Sequence, residues 1–195
     1  MERTDKYFQY YYHTIVKNII KNYLRGDNLI KALFLDRDGV INDNNKHVNK
    51  PEDLIIYDGV KEALKKAQME GFDLFVVTNQ GGIELGHLTH ESLEKIHQRM
   101  LEELKPYCSI KEVVYCPDFK KPSNCRKPKS GMLDGLAKKY DVDMKNSWMI
   151  GDMDTDIEAG IGAGCKTAKI GKHSELAEVG GKNLSEVVDK IIAHN

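Results

Sequence analysis

Asp36 and Asp38 stand two residues apart in FLDRDGVIN, in the turn after an apolar run. Like charges that close repel one another unless a cation lies between them. A hard divalent ion with oxygen ligands, such as Mg2+, meets that need. In VVTNQGG, Thr78 and Asn79 end a second apolar run before a glycine-rich turn. A hydroxyl and free backbone N–H groups placed there can hold phosphate oxygens. RKP at 126–128 adds a cation, Lys127, and MIGDMDTDIEAG adds Asp152, Asp154 and Asp156 after a further apolar run. Asp152 can complete a metal site, while Asp156, one helical turn on, can orient the lysine or a metal-bound water. Taken one at a time, these are a solvated Asp turn, a Thr-Asn-Gly turn, a basic loop and an acidic helix cap. Their order and shared placement at strand ends make them one site.

The elements that must position these residues alternate along the chain. ALFL (32–35), FDLFVVT (72–78), EVVY (112–115), SWMI (147–150) and KTAKI (166–170) read as strands. Between them, 58–69 carries Val60, Ala63, Leu64 and Ala67 on one helical face, and Gly71 closes that helix. Further helices run from Thr89 to about Lys105, from Ser130 to Tyr140, over 154–162 and over 185–192. Alternating strands and helices imply right-handed crossovers and a parallel sheet between two helix layers. In such sheets the ligand site lies at the carboxyl ends of the strands, where these polar residues fall.

The chain has 195 residues and a formal net charge of -1. Its length can bury a core without disulfides or metal. The near-neutral charge provides no global field for nucleic acid. No apolar run reaches the length of a membrane span, and the opening MERTDKYFQYYYH lacks a signal-peptide core. Four cysteines, Cys108, Cys116, Cys125 and Cys165, are too few for a disulfide framework, which points to a reduced, cytoplasmic protein. Residues 1–30 form a separate piece, with Phe8, Tyr12, Ile15, Ile19 and Tyr23 at helical spacing. That amphipathic helix either packs on its own domain, 31–195, or serves as a docking helix, for instance in a homodimer.

On FLDRDGVIN, VTNQGGI, CRKPKSGM and IGDMDTDIEAG, the chain resembles the haloacid dehalogenase (HAD) superfamily of phosphatases over about Lys31 to Ile170. Within it, the resemblance is to the histidinol-phosphate and heptose-bisphosphate phosphatase branch. The resemblance implies a three-layer α/β/α Rossmann-like fold with a mainly parallel sheet of five or more strands. It implies that Asp36 attacks phosphorus and that Asp38 acts as acid and then base. It further implies that Asp36, the Asp38 carbonyl and Asp152 hold Mg2+, that Thr78, Asn79 and Gln80 bind the phosphoryl group, and that Lys127 stabilises the nucleophile. The gaps from Asp36 to Thr78 and from Thr78 to Lys127 are too short for a cap domain. Substrate choice therefore falls to loops 42–47, 80–87 and 116–126, with Arg126 placed to hold a second anionic or hydroxyl-rich part. His47 and His87 lie in those loops, although lone loop histidines are usually bland.

The sequence also departs from the branch. Its relatives bind structural zinc before RKP through three cysteines and a histidine. Here only Cys116 and Cys125 remain, with Asp118 and Ser123 in the other places, a poor set for structural zinc. Leu85 replaces an arginine common after the NQxGI turn. The expected substrate is a small phosphorylated metabolite, a heptose 1,7-bisphosphate ahead of histidinol phosphate. A polynucleotide end phosphatase shares the TNQxGI turn and RKP, but no basic, aromatic-lined groove is legible. GIGAGCKT (160–167) nearly matches a P-loop, yet it leads from a helix into a strand, the reverse of a P-loop's context.

Overall fold

A computed structural model describes residues 29–194. The strands are β1 (Lys31–Leu35), β2 (Phe72–Asn79), β3 (Ile110–Cys116), β4 (Trp148–Gly151), β5 (Lys166–Ile170) and β6 (Val179–Gly181). They pair in parallel in the order β3-β2-β1-β4-β5-β6. Parallel strands buried on both faces read as continuous apolar runs, which is why KALFL and FDLFVVTN stand out in the sequence. Their side chains nevertheless alternate. Leu33, Leu35, Leu74, Val76, Trp148 and Ile150 join one core, while Ala32, Phe34, Phe75, Val77 and Met149 join the other.

Helices α1 (Val60–Met69), α2 (His90–Leu104) and α5 (Leu184–Ala193) cover the first face. Helices α3 (Gly131–Tyr140) and α4 (Asp154–Ala163) cover the second. α1 buries Val60, Ala63, Leu64 and Ala67, the stripe read from the sequence. Thr89 caps α2 by accepting the Ser92 N–H at 3.1 Å. Ser130 precedes α3 as expected, but its hydroxyl donates to Asp134 at 2.8 Å and caps no backbone N–H.

The element pattern pointed to five strands, and the sheet has a sixth. β6 is only VGG, too short to show alternation, and it forms by pairing with β5 through Ala168 and Val179. α4 ends at Gly164 in a left-handed turn and the chain enters β5 two residues later, so the near-P-loop runs helix to strand. Among the described residues, a 3-10 turn (Pro51–Asp53) and one α-helix separate β1 from β2, one α-helix separates β2 from β3, and there is no cap domain. No described helix is long and apolar enough to cross a membrane. The amphipathic helix expected within 1–30 lies outside the described residues, save Leu29 and Ile30; Ile30 bridges to Val142.

Candidate active site

Strand order reverses between β1 and β4, each of which starts the walk toward one edge. A crevice opens at the carboxyl ends of such a pair. Asp36 follows β1 directly, its N–H donating to Ile150 O at 2.9 Å, and Asp152 follows β4. The fold thus brings residues 116 positions apart to one sheet edge, as the sequence pattern required.

Lys127 arrives on the loop that follows β3. Its ammonium is buried and has three acceptors: Val77 O at 2.8 Å, Asp156 Oδ1 at 2.6 Å and Asp36 Oδ1 at 3.1 Å. Asp36 Oδ1 also accepts the Arg37 N–H at 2.7 Å, while its Oδ2 has no hydrogen-bond partner among the described residues. Asp156 therefore orients the lysine, one of the two roles the sequence allowed it. Asp154 does not join the cluster; it pairs with Lys169 at the start of α4.

Burial, more than any other cause, pushes the Asp36 carboxyl up to about 6, against the pull of Lys127 and with help from Asp156 and Asp38. Burial also raises Asp152, and the charge of Asp36 adds to it. Burial alone would lower Lys127, but Asp36 and Asp156 outweigh it and hold the lysine above its ordinary range. Carboxylate oxygens of Asp36, Asp152 and Asp156 lie within 4.8 Å of one another. With Asp156 committed to Lys127, Asp36 and Asp152 repel across a gap lined by hard oxygens. That set fits Mg2+ and would suit a soft metal poorly. Gly39 keeps the gap open: its φ is +80°, and a Cβ there would meet Asp152 Oδ2 at 2.3 Å.

Asp38 is held by a web of donors. Arg37 reaches its Oδ2 at 2.8 Å and its Oδ1 at 3.0 and 3.1 Å, Asn42 reaches Oδ1 at 3.0 Å, and Gln80 reaches Oδ2 at 2.9 Å. Gln80 also donates to Thr78 Oγ1 at 3.0 Å, which leaves the threonine hydroxyl proton for an anion. Asn79 is engaged within the protein. Its carboxamide spans to Lys127, accepting that residue's N–H at 3.0 Å and donating to its carbonyl at 3.1 Å. The side chain thus fixes the lysine's backbone.

Beyond this cluster lies a cavity of about 790 Å³, lined among others by Asp38, Lys46, His47, Gln80, His87 and Arg126. Arg126 lies 4.9 Å from the Phe119 ring centre and donates to Asp118 O at 3.0 Å. The Glu84 carboxylate accepts the N–H groups of Phe119 and Lys120, and these hold it below the usual carboxylate range.

The chain was expected to be fully reduced, but Cys116 and Cys125 form a disulfide that closes the loop before Arg126. They lie nine positions apart in sequence, yet β3 and the loop return bring their Cα atoms to 5.4 Å, within bonding geometry. Asp118 Oδ2 lies 3.9 and 3.6 Å from the two sulfurs, so the remnant of the zinc set is brought together. As a disulfide, those sulfurs are not thiolate ligands.

Arg37 and His97 escaped the sequence reading, whereas Asn42, Asn44 and Glu84 fell inside its loops 42–47 and 80–87 without being singled out. Asn44 donates to Asp152 Oδ2 at 3.0 Å. Arg37 stood in view between two aspartates, and its flanking charges were the signal that could have found it. His97 gave none, because it lies on the apolar face of α2.

A carboxylate pair, a buried lysine and a hydroxyl at the switch point of a parallel sheet define a phosphoryl-transfer hydrolase. The HAD-hydrolase-like family description matches residues 124–191. D-glycero-alpha-D-manno-heptose-1,7-bisphosphate 7-phosphatase of Campylobacter jejuni is 42% identical over 134 residues, 68% of this chain and 77% of the relative. The beta-anomer 7-phosphatase of Haemophilus influenzae is 33% identical over 171 residues, 83% of this chain and 93% of its own. A crystal structure of the D,D-heptose 1,7-bisphosphate phosphatase from B. bronchiseptica, complexed with magnesium and phosphate, superposes with a TM-score of 0.77. It is 27% identical, and the match covers 85% of this chain and 100% of that one. The chain belongs to the HAD-like heptose-bisphosphate phosphatase family, and it is a phosphatase.

Proposed function

We propose that this phosphatase hydrolyses the 7-phosphate of a heptose 1,7-bisphosphate, using Mg2+ and an aspartyl-phosphate intermediate. It acts on this small molecule as a cytoplasmic enzyme with no nucleic-acid or membrane partner. The observation that carries the reading is the meeting of Asp36, Asp152 and Lys127 beside a cavity with a cationic rim. Asp36, Asp152 and the Asp38 backbone carbonyl would hold Mg2+, which when bound supplies positive charge against the transferring phosphoryl group.

Asp36 forms the new oxygen–phosphorus bond as the bond to the sugar oxygen breaks. Asp38 gives its proton to that departing oxygen, then takes one from the water that attacks the intermediate. Water's oxygen bonds to phosphorus, inorganic phosphate leaves, and Asp36 is restored. Thr78 donates its hydroxyl proton to a phosphoryl oxygen, Gln80 fixes Thr78 and Asp38, and Asn79 keeps Lys127 in place.

The rim decides between substrates. Lys46 and Arg126, with His47 and His87, meet the far end of a substrate whose phosphate sits at Asp36. A second phosphate is attracted there, whereas the ammonium of histidinol phosphate meets like charge. A charged hydrogen bond of about 1.5–3 kcal/mol corresponds to roughly 10–100-fold in rate constant. Arg126→Met is therefore expected to lower kcat/KM for heptose 1,7-bisphosphate, either anomer, by about that factor. The same change should leave heptose 7-phosphate within about threefold. Steady-state kinetics on a panel with both anomers, the monophosphate and histidinol phosphate test this; equal, feeble rates throughout would overturn the assignment.

Metal binding carries its own pH signature. A proton must leave Asp36 before the metal can bind, and burial keeps that proton on up to about pH 6 in the metal-free protein. Below that pH, apparent Mg2+ affinity falls about tenfold per unit if one proton is displaced. The rise in Tm on adding Mg2+, read by calorimetry, is expected to be larger at pH 7.5 than at pH 5. An equal rise at both would count against Asp36 as a ligand.

A further inference from the structure

Arg37 is 1% exposed, so its guanidinium is almost wholly withdrawn from water. A buried cation must be met by acceptors, and those it finds show what it is for. Nε and Nη2 go to the two carboxylate oxygens of Asp38. Nη1 lies 3.2 Å from Nε2 of His97, sixty residues away on α2. Arginine has donors only, so Nε2 accepts and the ring proton sits on Nδ1. Burial, then the charge of Arg37, pushes His97 down to about 4, in keeping with a neutral ring.

The imidazole is itself fixed by packing. It shares the buried face of α2 with Leu93, Ile96 and Met100, and the Tyr115 ring lies 5.8 Å from it. A chain of contacts thus runs from the core through His97 to Arg37 and on to a carboxyl that is one-third exposed. Asn42 and Gln80 each give that carboxyl one hydrogen bond, whereas Arg37 gripping both its oxygens fixes the plane of the group.

We propose that His97 and Arg37 are positioning residues for Asp38, fixing its carboxyl for proton transfer to the leaving oxygen. The inference rests on the phosphatase reading of the site and adds a residue of α2 to it. Arg37 acts through the Asp38 carboxyl that it holds, and His97 acts through Arg37. Their effect must therefore appear where Asp38 acts, which gives a readout that loss of structure would not give.

An alkyl or sugar phosphate needs a proton on its departing oxygen, whereas p-nitrophenyl phosphate releases a stable phenolate without one. Because kcat/KM reports the steps up to release of the alcohol or phenol, the two substrates separate the roles. Arg37→Lys, which keeps charge but loses the fork, and His97→Leu are expected to cut kcat/KM for the sugar phosphate by about 10²-fold. Values for p-nitrophenyl phosphate should stay within about threefold, and KM should change little. His97→Gln, which offers Arg37 an oxygen acceptor, should recover most of the loss. Parallel losses on both substrates, or full sugar-phosphate activity in Arg37→Lys, would overturn the proposal. If His97→Leu fails to fold, Arg37→Lys decides alone. An Asp36→Asn control keeps the two readings apart, since turnover surviving there would sink the site assignment itself.

Discussion

Replacing Asp36 with asparagine is expected to lower kcat by about 10⁴-fold or more while leaving the fold intact, and to raise the Tm of the metal-free protein. Asparagine has the same shape and keeps an acceptor for the Arg37 N–H and the Lys127 ammonium, which lie 2.7 and 3.1 Å from Oδ1. Lys127 also retains Asp156 at 2.6 Å. What disappears is the nucleophilic oxygen, so no aspartyl-phosphate can form. The stability gain follows from the raised value of Asp36, moved from 3.8 to about 6 chiefly by burial. Below 3.8 the group is protonated in both folded and unfolded chains and imposes no penalty. As pH rises toward 6 the unfolded chain releases its proton first, so the native state of the wild type loses stability over that window. The advantage of Asp36→Asn in EDTA should therefore grow from about pH 4 to about pH 6 and flatten above. Calorimetry across that range, with turnover at pH 7.5, checks both halves. Turnover within a hundredfold of wild type would remove Asp36 as the nucleophile. Lost turnover with a lower Tm at pH 7.5 would mean that the buried charge is compensated better than its surroundings indicate.

The parts of this site that were legible in the sequence share one property: each follows an apolar run that can only be a buried strand. Asp36, Thr78 and Asp152 could be placed because a parallel sheet fixes where strand ends meet, and β1 and β4 lie side by side. Lys127 follows a loop rather than a strand, and the sequence placed it at the same sheet edge only by its company with Asp36, Thr78 and Asp152; the Asn79 carboxamide holds it there physically. What stayed hidden depends on contacts between distant segments. His97 lies where a core residue should, so helical periodicity hides it. The Cys116–Cys125 link needs β3 and its return loop folded before the two positions are seen to be neighbours. β6 is a strand only by virtue of β5. Glu84, half-buried in a turn, shows its use only once Phe119 and Lys120 turn their N–H groups toward it.

Lys127→Met should cost the protein both activity and stability, and the two losses have one cause. The ammonium is the counter-charge to two buried or nearly buried carboxylates, Asp36 and Asp156, and its third hydrogen bond closes on Val77 O. Methionine fills similar volume, so packing is largely kept and the electrostatic loss is isolated. Removing one partner from a buried ionic cluster costs about 3–5 kcal/mol, because the remaining charges are left without compensation. For a domain of this size that corresponds to a fall in Tm of roughly 10 °C in EDTA. The fall should shrink at pH 5, where Asp36 can take up a proton and shed part of the repulsion. Loss of a donor aimed at developing charge adds a drop in kcat of about 10²–10³-fold, beyond what instability explains at 20 °C. Lys127→Arg is not expected to rescue either property, since a planar fork does not match three acceptors arranged around one nitrogen. A Tm within 2 °C of wild type in Lys127→Met would show that Asp36 and Asp156 find other partners, and the lysine would then lose its place at the centre of the site.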